Sequence, residues 1–178
     1  MPPPYSPAAV ANEFLDRAGK DRRPLTPMQL LKLTYIAHGW HLAATSIPLI
    51  NEHVEAWKYG PVVPSLFHEF KMYGGNPIQR LAHDIQNISL DEASELEDIS
   101  SPFIPKEDNN TIQIIDWVWK TYGGLTGRQL SDLTHKPDTP WSVVQRERGN
   151  LSLCRDAQIP NESIKSHYIK LWADRNGR

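Results

Sequence analysis

Cysteine is nearly absent from this 178-residue sequence: Cys154 stands alone, so no intrachain disulfide can form and a disulfide scaffold is excluded. A reducing cytoplasm is the expected compartment. Long apolar runs are missing too, and none approaches the ~20 residues that span a bilayer. The leader Met1-Pro2-Pro3-Pro4-Tyr5 lacks the charged-then-apolar order of a signal peptide, so no membrane partner is expected. Neither sign of charge dominates. The 19 Lys and Arg against 21 Asp and Glu leave a net charge of −2, which argues against a surface built to neutralise phosphates, hence against a nucleic-acid partner. There is no glycine-rich phosphate loop, no cysteine pair and no His-Glu-x-x-His helix. These absences leave no catalytic residue, metal or cofactor to expect from a motif.

Hydrophobic residues make up 39% and charged residues 22% of the chain, ordinary proportions for a globular protein. The length suits one buried core, so residues 1–178 read as a single domain. Ser6 with Pro7 and Thr26 with Pro27 are helix entries, because a hydroxyl caps the first turn and a proline at the first position loses no hydrogen bond. Gln29 completes a capping box at Thr26. From Thr26 to Thr45 apolar residues occupy two arcs, which predicts a central helix packed between layers. Thr34, His38 and His41 form a polar stripe between the arcs. Residues Pro64 to Tyr73 show apolar spacing of three and four and stop at Gly74-Gly75. Similar patterns predict helices ending at Tyr122, from Thr126 to Thr134, from Thr139 through Trp141, and from an Asn161 cap through Ile164, Tyr168, Leu171 and Trp172. Arg80-Leu81-Ala82-His83 opens a further short helix in this reading. The fold class is mainly α, a compact domain of six to eight helices with a small β-hairpin or short sheet. Ile47–Ile50 and His53–Trp57 are expected as extended segments around Asn51-Glu52, pairing with each other or with Gln158-Ile159. Residues 84–108 are acidic and proline-broken.

Between the central helix and the next lies Glu55-Ala56-Trp57-Lys58-Tyr59-Gly60-Pro61-Val62-Val63-Pro64. In an extended segment Trp57 and Tyr59 share a face. Gly60-Pro61 is expected to break the extension into a rigid corner. Three residues bear on chemistry. His38 and His41, three apart, can place two metal ligands on one face, though no matching set elsewhere completes the site. The plainer reading is polar side chains bonded inside or beside the core. Cys154 could serve as a nucleophile but has no local signature. A metal- or cysteine-dependent hydrolase is therefore the alternative function. The closely spaced helices from Thr126 to Arg148 have the layout of a DNA-reading pair, without a wide basic face. Lys20-Asp21-Arg22-Arg23-Pro24 reads as a solvated turn, and His135 as a cap at a helix C-terminus.

Two blocks together carry a resemblance. The first comprises Leu25 to Trp40, Glu55 to Pro64 and Leu66-Phe67-His68-Glu69-Phe70. The second comprises Tyr122 to His135 with Pro140-Trp141. In this order they resemble the Panacea domain of SocA-like antitoxins, also known as GepA-type phage-associated proteins. The resemblance implies a helical, non-enzymatic module that neutralises a protein toxin encoded beside it by direct binding. In the SocA case it also implies an adaptor that delivers the toxin to a cytoplasmic protease. It brings no cofactor and no catalytic residue. Its recurring positions here are Trp57, Lys58, Tyr59, Gly60, Pro61, Thr134, His135 and Trp141, and all of these but Gly60 are the candidate partner-binding residues. The segment 84–108 departs from the shared pattern and is the expected place for partner identity.

Overall fold

Every residue from Leu30 to Leu42 is buried, which makes the helix that carries them the axis of the molecule. The computed structural model describes residues 2–83, 101–148 and 157–177. Among these the elements run α1 (Pro7–Lys20), α2 (Pro27–Thr45), β1 (Glu55–Trp57), β2 (Gly60–Val62), α3 (Pro64–Phe70) with a 3-10 turn at Lys71–Tyr73, α4 (Asn109–Tyr122), α5 (Gly127–Thr134), α6 (Pro140–Glu147) and α7 (Asn161–Arg175). The mainly α architecture with a two-stranded sheet matches the expectation. Helices α1, α3, α4, α5 and α7 and strand β2 all pack on α2. A helix so surrounded needs apolar residues on more than one side, which its two arcs supply. No helix among the described residues is long and apolar enough to cross a membrane.

The caps behave as the sequence dictates. Ser6, Thr26, Thr126 and Thr139 each accept a backbone N–H of the first turn, and Gln29 and Gln129 close capping boxes at Thr26 and Thr126. Asn161 is different: α7 starts on it after Pro160, and its side chain provides no cap. The Asn161 amide oxygen instead meets His38 Nε2 at 3.0 Å. A long-range partner outcompetes the local one. Arg80–His83 forms no helix either. Ala82 is clamped by Asn12, whose Oδ1 accepts its N–H at 2.7 Å and whose Nδ2 donates to its carbonyl at 3.0 Å. Helix α3 ends at Phe70, a turn earlier than its spacing suggests, because Lys71–Tyr73 tightens into a 3-10 turn.

The hairpin also sits elsewhere than expected. Strands β1 and β2 pair with Glu55 opposite Val62 and Trp57 opposite Gly60, so Lys58-Tyr59 is the turn. Gly60-Pro61 therefore opens β2 instead of ending the extension. Trp57 and Tyr59 do not share a face, since Tyr59 lies on the turn. The pairing with residues near the C-terminus holds: Glu55 bridges Gln158, Ala56 N–H donates to Ala157, and Ile159 N–H donates to Val54. Ile47–Ile50 instead meets the N-terminal segment, through a parallel bridge between Tyr5 and Ile50. Residues 84–100 of the acidic segment lie outside the described residues. Its end is docked, with Ile104 buried and its N–H donated to Glu13 Oε1 at 3.3 Å.

Candidate functional site

The two sequence blocks meet where the hairpin lies against α5 and α6. Its carbonyl groups are taken one by one. Trp141 Nε1 donates to the Trp57 carbonyl at 2.7 Å, Gln145 Nε2 to Ala56 at 3.0 Å, and Ser131 Oγ to Tyr59 at 3.2 Å. From the other side Lys32 Nζ donates to the Pro61 carbonyl at 2.9 Å. A strand edge with its carbonyls occupied offers little to a further strand, so the hairpin is no template for β-augmentation.

Gly60 is required in this arrangement. Its φ is 105°, and a Cβ there would stand 2.6 Å from Lys32 Nζ and 2.9 Å from Thr134 Oγ1. Lys32 itself is 2% exposed, and burial pulls its ammonium down to about 7. The sequence reading passed it over. Its signal was a single cation near the middle of a helix apolar on two sides.

The candidate partner-binding residues divide by exposure. Pro61 and Thr134 are buried, and Thr134 Oγ1 donates back to Ser131. Trp57, His135 and Trp141 are half-buried. His135 follows α5 as its C-cap, with Nδ1–H donating to the Ser131 carbonyl at 2.6 Å and its ring 4.0 Å from that of Trp141. Trp57 packs edge-on to Phe67 at 4.8 Å. Lys58 and Tyr59 face solvent, Tyr59 with 62% of its surface open. The structure thus brings all seven together: Trp57 and Pro61 in the strands, Thr134, His135 and Trp141 in the seat beneath them, and Lys58 and Tyr59 at the tip.

A second aromatic surface went unread. Trp117 of α4 and Trp172 of α7 flank a groove of about 780 Å³ floored by Trp40. Trp172, which helical spacing places in the core, is 58% exposed, and Ile169 one turn earlier is 46% exposed. Arg175 stacks on the same aromatic cluster, its guanidinium 5.3 Å from the Trp40 ring centre and its Nη2 donating to Tyr122 Oη at 2.8 Å.

The histidines of α2 are core residues. His38 Nδ1 accepts the Leu49 N–H at 3.3 Å, which leaves the proton on Nε2 to reach Asn161. His41 donates from Nδ1 to the Ile47 carbonyl at 2.8 Å and faces Thr111 Oγ1 with Nε2 at 3.1 Å. Burial lowers both, His38 to about 4. All four ring nitrogens are engaged by the protein's own groups, and no cluster of three His, Cys, Asp or Glu suited to a metal occurs among the described residues. Cys154 lies outside the described residues. The α5–α6 pair directs Trp141 and Gln145 onto the hairpin, so α6 serves as a clamp for β1.

The family model described as antitoxin SocA-like, Panacea domain, matches residues 30–142, which contain the hairpin, α5 and the start of α6 with Trp141. The chain belongs to the SocA-like Panacea family. Antitoxin SocA of Caulobacter vibrioides (strain NA1000 / CB15N) is 35% identical to this family member over 161 residues, covering 90% of this chain and 80% of the relative. No solved structure matches this Panacea chain.

Proposed function

We propose that this protein is an antitoxin that neutralises a cognate protein toxin by binding it directly, and that the toxin is encoded nearby. Kinship to antitoxin SocA along nine-tenths of the chain carries the reading. Direct contact is supported by large aromatics left open to solvent, the residue type that anchors protein interfaces. Within the hairpin cluster we assign the toxin contact to Lys58 and Tyr59, flanked by Trp57, His135 and Trp141. Pro61 and Thr134 hold the shape from beneath. The protein acts in the cytoplasm and without catalysis in this reading.

A binding titration between the purified protein and the adjacent gene's product tests it. Tight binding that weakens at least tenfold in Tyr59→Ala, with the fold intact, supports the assignment. No binding refutes the function, and binding indifferent to Tyr59 refutes the site. Handover of the toxin to a cytoplasmic protease is the finer form of the same function. It predicts a toxin half-life that shortens when the antitoxin is present and recovers in a protease-deficient host.

The hydrolase alternative rests on the α2 histidines and on Cys154, which lies outside the described residues. His38 and His41 are buried with both ring nitrogens occupied, so neither has a free position for substrate or metal. Its test is direct: full antitoxin activity in Cys154→Ala and in His38→Asn that still folds would retire it.

A further inference from the structure

The groove between α4 and α7 leaves open a contiguous apolar surface of the kind that marks an interaction site. Trp172 is 58% exposed, Ile169 46% and Trp117 36%, and every residue lining the groove is uncharged. Its walls are fixed before anything binds. Trp117 and Trp172 stand edge-on to Trp40, with ring centres 4.9 Å and 6.5 Å away, and the Arg175 guanidinium packs on Trp117 at 5.5 Å. The hairpin is held at Lys32, early in α2, whereas Ala43 and Ala44 in the last turns of α2 floor this groove. The toxin contact assigned to the hairpin tip does not cover it.

The patch carries its own complement. A surface that pairs with itself across a two-fold axis has to present both a projection and the recess that receives it, and both halves of each polar contact. The projections are Ile169 and Trp172 on α7, and the recess lies over the small side chains of Ala43 and Ala44. Lys165, Ile169 and Trp172 follow the spacing of four and three that puts residues on one helix face. Where two α7 helices cross antiparallel at Ile169, Lys165 of each copy comes opposite Trp172 of the other. An ammonium over an indole face is attractive, and the two-fold forms that contact twice. Lys165 has no partner of its own among the described residues, so it is available for this one. The net charge of −2 sets little repulsion between copies. The exposed fractions and the polar rim would bury roughly 500 Å² per chain, about 1,000 Å² in all, the low end of specific interfaces. A dimer of that size is weak and reversible.

We propose that this groove is a homodimer interface, in which two copies pack α7 against α7 about a two-fold axis at Ile169. Each copy lays its Trp172 toward the Ala43–Ala44 recess and Lys165 of the other. Both hairpin tips stay open, so the dimer presents two toxin contacts. The interface does not depend on the toxin-contact reading, because it forms in the chain alone.

Sedimentation velocity of the purified full chain, from low micromolar to near-millimolar concentration, tests the proposal. The mass should rise from monomer to dimer and stop there. Ile169→Lys should weaken self-association by about tenfold or more. Its melting temperature should stay near that of the wild type at monomer concentrations, because residue 169 already faces water in the single chain. Tyr59→Ala should dimerise like the wild type. Ile169→Cys in a Cys154→Ser chain should cross-link to a dimer on mild oxidation, and Ser163→Cys, on another face of α7, should not. A chain that stays monomeric throughout overturns the proposal, as do assembly beyond a dimer and a dimer that Ile169→Lys leaves intact. Cross-linking through Ile169→Cys no better than through Ser163→Cys overturns it independently of how Ile169→Lys folds. If the chain alone is monomeric and Ile169→Lys instead abolishes binding of the adjacent gene's product, the groove belongs to that product and the proposal fails.

Discussion

Lys32 Nζ reaches the carbonyl oxygen of Pro61, 29 residues further along the chain, at 2.9 Å inside a closed core. This one contact ties the central helix to the second strand of the hairpin. It also places a titratable amine where water cannot solvate it.

The stability of the protein should therefore rise with pH above neutrality. The amine titrates near 7 in the folded chain and at its ordinary value, 10.5, when unfolded. Between these values the unfolded chain binds the extra proton, so raising the pH favours the fold. Thermal melts from pH 7 to 10 should show this increase, and Lys32→Met should flatten it. The Met side chain removes the buried charge and forfeits one hydrogen bond of about 1 kcal/mol, so it should melt at or above the wild type at pH 7. A large loss of stability in Lys32→Met, with the pH slope unchanged, would contradict the role given to the amine.

On the acid side the sign is the same and the groups differ. His38 sits near 4 and His41 is also lowered, both by burial, against an ordinary value of 6.5. Stability is full above 6.5 and falls as the unfolded chain takes up protons on the way down to about 4. Protonating His38 at Nδ1 would set an N–H against the Leu49 N–H it now accepts. His38→Asn should shrink this acid loss, read from melts between pH 7 and 4.5.

Gly39→Ala should destabilise the fold despite being a helix-favouring change. Alanine gains about 1 kcal/mol of propensity over glycine. An added Cβ at 39, however, would stand 2.1 Å from Cε2 of the Tyr168 ring, which lies directly on the α2 backbone and packs on Trp40 at 5.1 Å between ring centres. Moving that ring costs about 1–3 kcal/mol or more of overpacking. The net loss should appear in chemical denaturation, and Gly39→Ala with Tyr168→Ala should be less than additive.

Trp141→Phe isolates the clamp on β1. It keeps a ring beside His135 and deletes the donor to the Trp57 carbonyl. A loss of about 1–2 kcal/mol is expected, together with faster amide exchange in residues 54–62. Unchanged exchange would mean that the clamp does not hold the hairpin.

Much of the fold was legible because its signals are local. Thr26-Pro27 with Gln29, and Thr126 with Gln129, announce their helices through caps that need no distant partner. Where the sequence misled, a distant partner had intervened: His38 drew the Asn161 side chain off the cap, and Asn12 clamped the stretch at Ala82. The turn at Lys58-Tyr59 was missed because Gly60-Pro61 looks like a corner. Its proline is tolerated in β2 because the Pro61 carbonyl, not an N–H, makes the buried contact. Lys32 and the pair Trp117 and Trp172 escaped for a different reason. Helical spacing says which residues share a face, but not whether a neighbour covers that face.

The most direct test of the account is growth. The adjacent gene's product should stop growth when expressed alone, and this protein should restore it while co-eluting with that product as a stable complex. A product that is harmless alone, or that stays toxic in the presence of this protein, would contradict the antitoxin function.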